Sequence, residues 1–152
     1  MELNSIKVIK YDPSYASNTV KMWRDSKAKA IGQKELHSFE NHVHFLNHIL
    51  GKDNEIFIAV DMESDIVAGL IAFNEKEINQ LYIHIDYQGK GLGKKFLDMA
   101  KSKSKRRLTL YTFEVNHKAQ QFYEHNGFKV IGRGSDNEEN LDDILYEWVE
   151  GN

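Results

Sequence analysis

The feature that most constrains this chain is the run Gln88-Gly89-Lys90-Gly91-Leu92-Gly93, where three glycines alternate between an apolar segment, Glu77 to Ile85, and a stretch with helical spacing. Without Cβ atoms, such a run lets the backbone curl and come close to a ligand. Successive N–H groups then converge on one point, and at a helix start they add to the positive end of the dipole, so the matching guest is phosphate or pyrophosphate. Lys90, Lys94 and Lys95 supply further positive charge. An ordinary tight turn also clusters glycines, so the flanking pattern has to discriminate. A Walker loop needs Ser or Thr after the lysine that follows the last glycine, whereas Lys94 is followed by Lys95. A dinucleotide fold places its glycines in the first βαβ unit with an acid about 20 residues on, and here the corresponding region is the basic KSKSKRR.

The rest of the pattern sets the run in one mixed domain. Ser5 to Lys10 alternates as a strand, and Tyr15 to Ala28 and Ser38 to Leu50 read as amphipathic helices, with Ser38 as N-cap and a loop around Gly32. Glu55 to Asp61, Asp65 to Asn74 and Glu77 to Ile85 read as an antiparallel meander. Leu92, Phe96, Leu97 and Ala100 give helical spacing over Leu92 to Lys103, and a strand follows at Arg107 to Phe113. Asn116 to Asn126 reads as a helix stopped by Gly127, and Phe128 to Gly132 and Ile144 to Val149 as closing strands around the acidic stretch Asp136 to Asp143. The expectation is a single domain over residues 1–152, an α/β (α+β) fold whose mixed, mostly antiparallel central sheet of about seven strands is flanked by about four helices. Only Pro13 and no low-complexity linker interrupt it.

The segment Leu81-Tyr82-Ile83-His84-Ile85-Asp86-Tyr87-Gln88-Gly89-Lys90-Gly91-Leu92-Gly93-Lys94 resembles the acyl-coenzyme A loop of the GNAT superfamily of N-acetyltransferases, with its Gln-x-x-Gly-x-Gly run. Downstream, Asn116-x-x-Ala119-x-x-Phe122-Tyr123-Glu124-x-Asn126-Gly127-Phe128 is similar to the second signature of that family. The chain departs from it at Ile85, where many members carry proline. The resemblance implies that the backbone of Leu81, Tyr82 and Ile83 pairs with a pantetheine arm. It implies further that Gln88, Gly89, Lys90, Gly91, Leu92, Gly93 and Lys94 hold the pyrophosphate, and that Asn116 contacts the cofactor between the two central parallel strands. It also implies acetyl-CoA as acyl donor, Tyr123 beside the coenzyme sulfur, and a possible homodimer.

Direct aminolysis of a thioester needs a neutral amine, a polarised carbonyl and a proton for the leaving thiolate. A phenol of ordinary pKa about 10 is protonated at neutral pH and supplies that proton; packing of Tyr123 beside Phe122 is the alternative. A main-chain N–H near Ile83 would polarise the carbonyl. Glu77, at the start of the strand leading to the loop, is the candidate base acting through water, or else a solvated hairpin carboxylate like Glu75. With no cysteine in the chain, a ternary complex is preferred over a cysteine acyl-enzyme. A non-catalytic acyl-CoA sensor is the alternative function.

Other clusters carry less. His44 and His48 stand at i, i+4, but no Glu follows His44 in the HExxH manner, so no metal is expected. Glu35, His37 and Phe39 are expected to border the acceptor pocket. The basic residues Lys101, Lys103, Lys105, Arg106 and Arg107 read as a solvated helix end, with a contact to the coenzyme 3′-phosphate as the alternative. The acids Asp136, Glu138, Glu139, Asp142 and Asp143 either form a solvated turn or attract a cationic acceptor. The net charge of −3 offers no basic field for nucleic acid. With no long apolar run and no basic leader, a cytoplasmic protein without a membrane partner is expected.

Overall fold

The computed structural model describes residues 5–151; residues 1–4 and 152 of the expected domain lie outside them. Among the described residues, seven strands and four α-helices follow one another as β1 (Ile6–Lys10), α1 (Ala16–Ile31), α2 (Phe39–His48), β2 (Glu55–Asp61), β3 (Ile66–Phe73), β4 (Ile78–Ile83), α3 (Leu92–Lys103), β5 (Arg107–Phe113), α4 (His117–His125), β6 (Lys129–Gly134) and β7 (Asp143–Val149). The expected mixed fold is present. Its sheet divides into an antiparallel group in the order β1-β2-β3-β4 and a second in the order β5-β7-β6, joined at the parallel bridge Glu77↔Thr109. Among the described residues, no helix is long and apolar enough to cross a membrane.

Local chemistry fixes the ends of the elements. Ser38 caps α2 by accepting from the Asn41 amide at 3.1 Å, and Asn116 caps α4 through Ala119 N at 3.2 Å. Helix α1 runs past Ala28 to Ile31 and stops where Gly32 takes a left-handed φ of 69°. In β4 the partners are Phe73↔Ile78 and Ala72↔Gln80, so Asn79 is an extra, unpaired residue. Such a bulge increases local twist and re-aims the strand. It sits just beyond the Glu77↔Thr109 bridge, where β4 and β5 part.

Two apolar cores cover the two faces. One packs Phe96, Leu97 and Ala100 of α3 and Tyr123 of α4 on Leu108, Leu110, Ile144 and Tyr146; the other packs Val20, Met22 and Trp23 of α1 and Leu46 of α2 on Ile58, Val60 and Leu70. Strand β3 is buried on both faces and lies close under α3: a Cβ at Gly69 would stand 2.8 Å from Phe96 Cε2 and 3.3 Å from Leu92 Cδ2. The turn before α3 is tied down from the other side, because Tyr87 donates to Asp61 Oδ2 at 2.7 Å. That hydrogen bond holds the Asp61 carboxyl below the ordinary carboxylate range. The basic residues from 103 to 107 are matched with Glu55, Glu75, Glu150 and Glu147 in exposed pairs that contribute little to stability.

The Gly69 contact makes a prediction. Gly69→Ala forces Phe96 or the strand to shift and lowers unfolding free energy by about 1–3 kcal/mol, read as a lower urea midpoint at unchanged m. An unchanged midpoint would contradict the close packing.

Candidate active site

Past the bridge at Glu77, the inner edges of β4 and β5 have no strand partner. His84 N donates to Ala68 O at 2.8 Å, which makes that pair and, by alternation, Leu70↔Tyr82 the hydrogen-bonded pairs of the β3–β4 ladder. The main-chain groups of Leu81 and Ile83 therefore point away from β3, into the gap. On the other wall Thr109 N donates to Lys76 O at 3.0 Å, so the same alternation turns Tyr111 and Phe113 toward the gap. Among the described residues, Leu81 N and O meet no protein partner, whereas Ile83 O accepts from Ser26 Oγ at 3.1 Å and Gln88 Nε2 at 3.0 Å. An unpaired strand edge of this kind accepts an extended guest.

The gap opens into a cleft of about 650 Å³. Leu81, Tyr82, Asn116 and Tyr123 line it, together with Lys27 of α1 and the β6–β7 loop. Glu77 is absent from the lining, at the closed end of the gap; its N–H is not free to donate to a guest either, since it donates to Asn74 Oδ1 at 3.0 Å. Tyr123 reaches the cleft from α4, wedged between Phe128 at 5.6 Å and Tyr146 at 6.1 Å. Burial, with the neighbouring Tyr82 phenol adding to it, pushes the Tyr123 hydroxyl above its ordinary pKa, so it is a proton donor at neutral pH. Tyr82 comes from the opposite face, stacked on Trp23 at 6.0 Å; burial, then Glu139 and Glu35, push its hydroxyl up as well.

The glycine turn lies beyond the end of β4. Gly89 and Gly91 take left-handed φ angles of 76° and 86°, with nothing within 4 Å of an added Cβ, so conformation explains both glycines. Gly93 answers a different need, because a Cβ there would meet Phe122 Cζ at 2.9 Å where α3 and α4 touch. The first α3 bond beyond the turn is Lys95 N to Gly91 O at 3.1 Å, which leaves the amides of Leu92, Gly93 and Lys94 without an acceptor among the described residues. Lys94 pairs with Asp98 at 2.9 Å. Among the described residues, Lys90 and Lys95 enter no ion pair. Gln88 spans inward, its Oε1 accepting from Lys118 Nζ at 3.4 Å.

Motif reading missed the opposite wall. Lys27 pairs with Glu139 at 2.7 Å and Glu35 at 3.6 Å in a largely buried trio, and His37 Nε2 meets Glu138 at 2.6 Å. Glu35, His37 and Phe39, expected to border the acceptor pocket, are absent from the cleft lining; Glu35 and His37 act from behind it by holding the acidic loop, and Phe39 lies under Arg24, 5.9 Å from ring centre to Cζ. Burial drives the Glu35 carboxyl up, but Lys27, His42 and two backbone amides outweigh it and hold the group below its ordinary pKa. His42 is packed edge-on to Trp23 at 4.2 Å, and burial lowers its pKa from 6.5 to about 4.

Comparison with known proteins agrees with this geometry. A family model described as Acetyltransferase (GNAT) domain matches residues 52–130. No curated protein matches at a significant level. The chain is similar in fold to a GNAT-family acetyltransferase from Staphylococcus aureus Mu50, with TM-score 0.77 at 21% identity over 95% of this chain and 98% of that one. It is likewise similar to the PaiA N-acetyltransferase of Thermoplasma acidophilum in complex with coenzyme A, with TM-score 0.71 at 22% identity over 95% and 98%. The yncA protein of Salmonella typhimurium with its cofactor acetyl-CoA gives TM-score 0.70 at 17% identity over 96% and 94%.

The buried His42 predicts a pH effect. Its folded pKa lies below the unfolded value, so the unfolded chain binds the proton more tightly and stability falls as pH drops from 6.5 toward 4. His42→Phe should remove about 2–3 kcal/mol of that fall, measured by urea unfolding at a series of pH values. Equal slopes for the two proteins would refute it.

Proposed function

The chain belongs to the acetyltransferase (GNAT) family, and from that premise we propose that it moves an acetyl group from acetyl-CoA to a primary amine by direct aminolysis. It acts in a ternary complex as one cytoplasmic domain over residues 1–152. The observation that carries this reading is the unpaired edge at Leu81 opening into the same cleft as the buried Tyr123 phenol, with the glycine turn at its end.

In this reading the extended pantetheine arm, with its two amides, lies along Leu81, Tyr82 and Ile83 as a missing strand. It pairs with the free main-chain groups of Leu81 and the N–H of Ile83, while the Tyr82 main-chain groups stay in the β3 ladder and Ile83 O stays with Ser26 and Gln88. Gly89, Lys90, Gly91, Leu92, Gly93 and Lys94 receive the pyrophosphate on free amides at the start of α3. The uncommitted Asn116 Nδ2 faces the arm from the other wall, while Gln88 works indirectly by tying the end of β4 to α4. The amine nitrogen attacks the thioester carbon while a main-chain N–H near Ile83 steadies the developing oxyanion. The C–S bond then breaks, and the thiolate takes the proton of Tyr123, which solvent restores. The proton lost by the amine leaves through water, and Glu77, being outside the lining, serves as base only through such water. Donor and acceptor enter from opposite faces of the sheet, since Tyr123 belongs to the α3–α4 face and Tyr82 to the α1–α2 face.

An amine panel screened for coenzyme A release tests the reading. Tyr123→Phe should lower kcat by about 10²–10⁴-fold while leaving acetyl-CoA affinity within about threefold. A protein that binds acetyl-CoA but releases no coenzyme A with any amine would be a sensor instead, and one that binds no acetyl-CoA would be neither.

A further inference from the structure

Beyond Tyr123 the cleft continues along one side of the β5-β7-β6 sheet. Leu110, Ile144 and Tyr146 face the α3–α4 core, so the alternate residues of these strands face the other way. Two cross-strand rows result, Tyr111–Leu145–Gly132 and Phe113–Asp143–Gly134, and all six residues line the cleft. Neither glycine has a left-handed φ. An added Cβ would come no closer than 3.7 Å to Leu145 at Gly132 and 3.5 Å to Asp143 Oδ1 at Gly134, which is ordinary contact. Gly132 directly follows the register shift of β6 and Gly134 ends that strand, and at neither position does a left-handed φ or a close neighbour demand glycine. What the two missing side chains provide is an open floor.

Asp143 stands at the end of that floor. It is 8% exposed, with one oxygen accepting from Asn137 Nδ2 at 3.0 Å. The two cations that line the cleft are both committed, Lys27 to Glu139 at 2.7 Å and Arg133 to Glu114 at 3.8 Å. Among the described residues, Asp143 and Asp136 enter no ion pair, so this end of the cleft carries uncompensated negative charge. Along β7 the Asp143 row lies three residues, about 10 Å, from Tyr146, the ring against which Tyr123 packs.

Resting on the transferase reading, we infer that Gly132, Gly134 and Asp143 form the specificity trough for the acceptor's tail: slender, unbranched, and ending in a second cationic group bound by Asp143. The glycines exclude nothing that is thin, the walls of Tyr111 and Leu145 pack the methylenes, and the buried carboxylate rejects a neutral or anionic end by leaving it or itself unpaired.

Calorimetry with α,ω-diaminoalkanes of graded length, matched n-alkylamines and ω-amino acids tests this on the full chain, with and without coenzyme A. Diamines near the span of the trough should bind at least tenfold more tightly than alkylamines of equal length, with ω-amino acids weakest. Asp143→Asn should reduce that diamine preference at least tenfold. Gly132→Val and Gly134→Ala should weaken diamine binding with Tm unchanged or raised, which separates a filled trough from a damaged fold. Equal binding of diamines and alkylamines, or an Asp143→Asn loss common to both, overturns the trough. Because amine binding is read without turnover, failure of the transferase reading shows separately, as absence of coenzyme A release with every amine of the panel.

Discussion

The organisation of the molecule depends on one defect in hydrogen bonding. Asn79, the extra residue in β4, turns the strand away from β5 directly after the Glu77↔Thr109 bridge. Backbone donors and acceptors that would pair in a continuous sheet are left facing each other across open space. Leaving such groups unpaired costs free energy unless something else satisfies them. The four-stranded ladder on one side and the three-stranded ladder on the other are what keep the gap from closing, because each inner strand is fixed by its outer partner.

The two phenols in the cleft show how burial sets chemistry on the two sides of this gap. Tyr123 is held among Phe122, Phe128 and Tyr146 on one face, and Tyr82 on Trp23 on the other. Both hydroxyls are shifted in the direction that keeps them neutral, mainly by desolvation. The charged groups near them are gathered instead into the Lys27–Glu35–Glu139 trio, where opposite charges offset a burial that each alone would not tolerate.

Elements governed by local rules were legible in the sequence. Helix α3 and strand β5 have the bounds their periodicity predicts, and Ser38 caps the helix it precedes; Asn116, read as the first residue of its helix, is the cap instead. The glycine turn was readable because left-handed φ angles at Gly89 and Gly91 require that residue type. Gly93 was read with them, yet its glycine is demanded by Phe122, a neighbour that only the packing of α4 on α3 supplies. The extent of α1 was underestimated because its last turn, through Lys29 and Ala30 to Ile31, rests on helix-forming residues and the Gly32 stop more than on apolar spacing. The β4 bulge and the Lys27–Glu139 pair, 112 residues apart, were not legible, since both depend on long-range register. For the same reason Glu77 looks adjacent to the chemistry along the chain but stands outside the cleft lining in space.

The contact between α3 and α4 is close at two points. Gly93 brings Phe122 against the first turn of α3, and at the far end Lys101 Nζ donates to Asn126 O at 2.8 Å while lying over the Trp148 ring at 5.1 Å. Held at both ends, the two helices carry the turn amides and the Tyr123 hydroxyl on one face of the sheet. On the opposite face the acidic loop reaches α1 and the loop after it through side-chain ion pairs, Lys27–Glu139 and His37–Glu138. Raised ionic strength therefore loosens that wall of the cleft and leaves the α3–α4 contacts, which among the described residues carry no ion pair between the two helices, as they are.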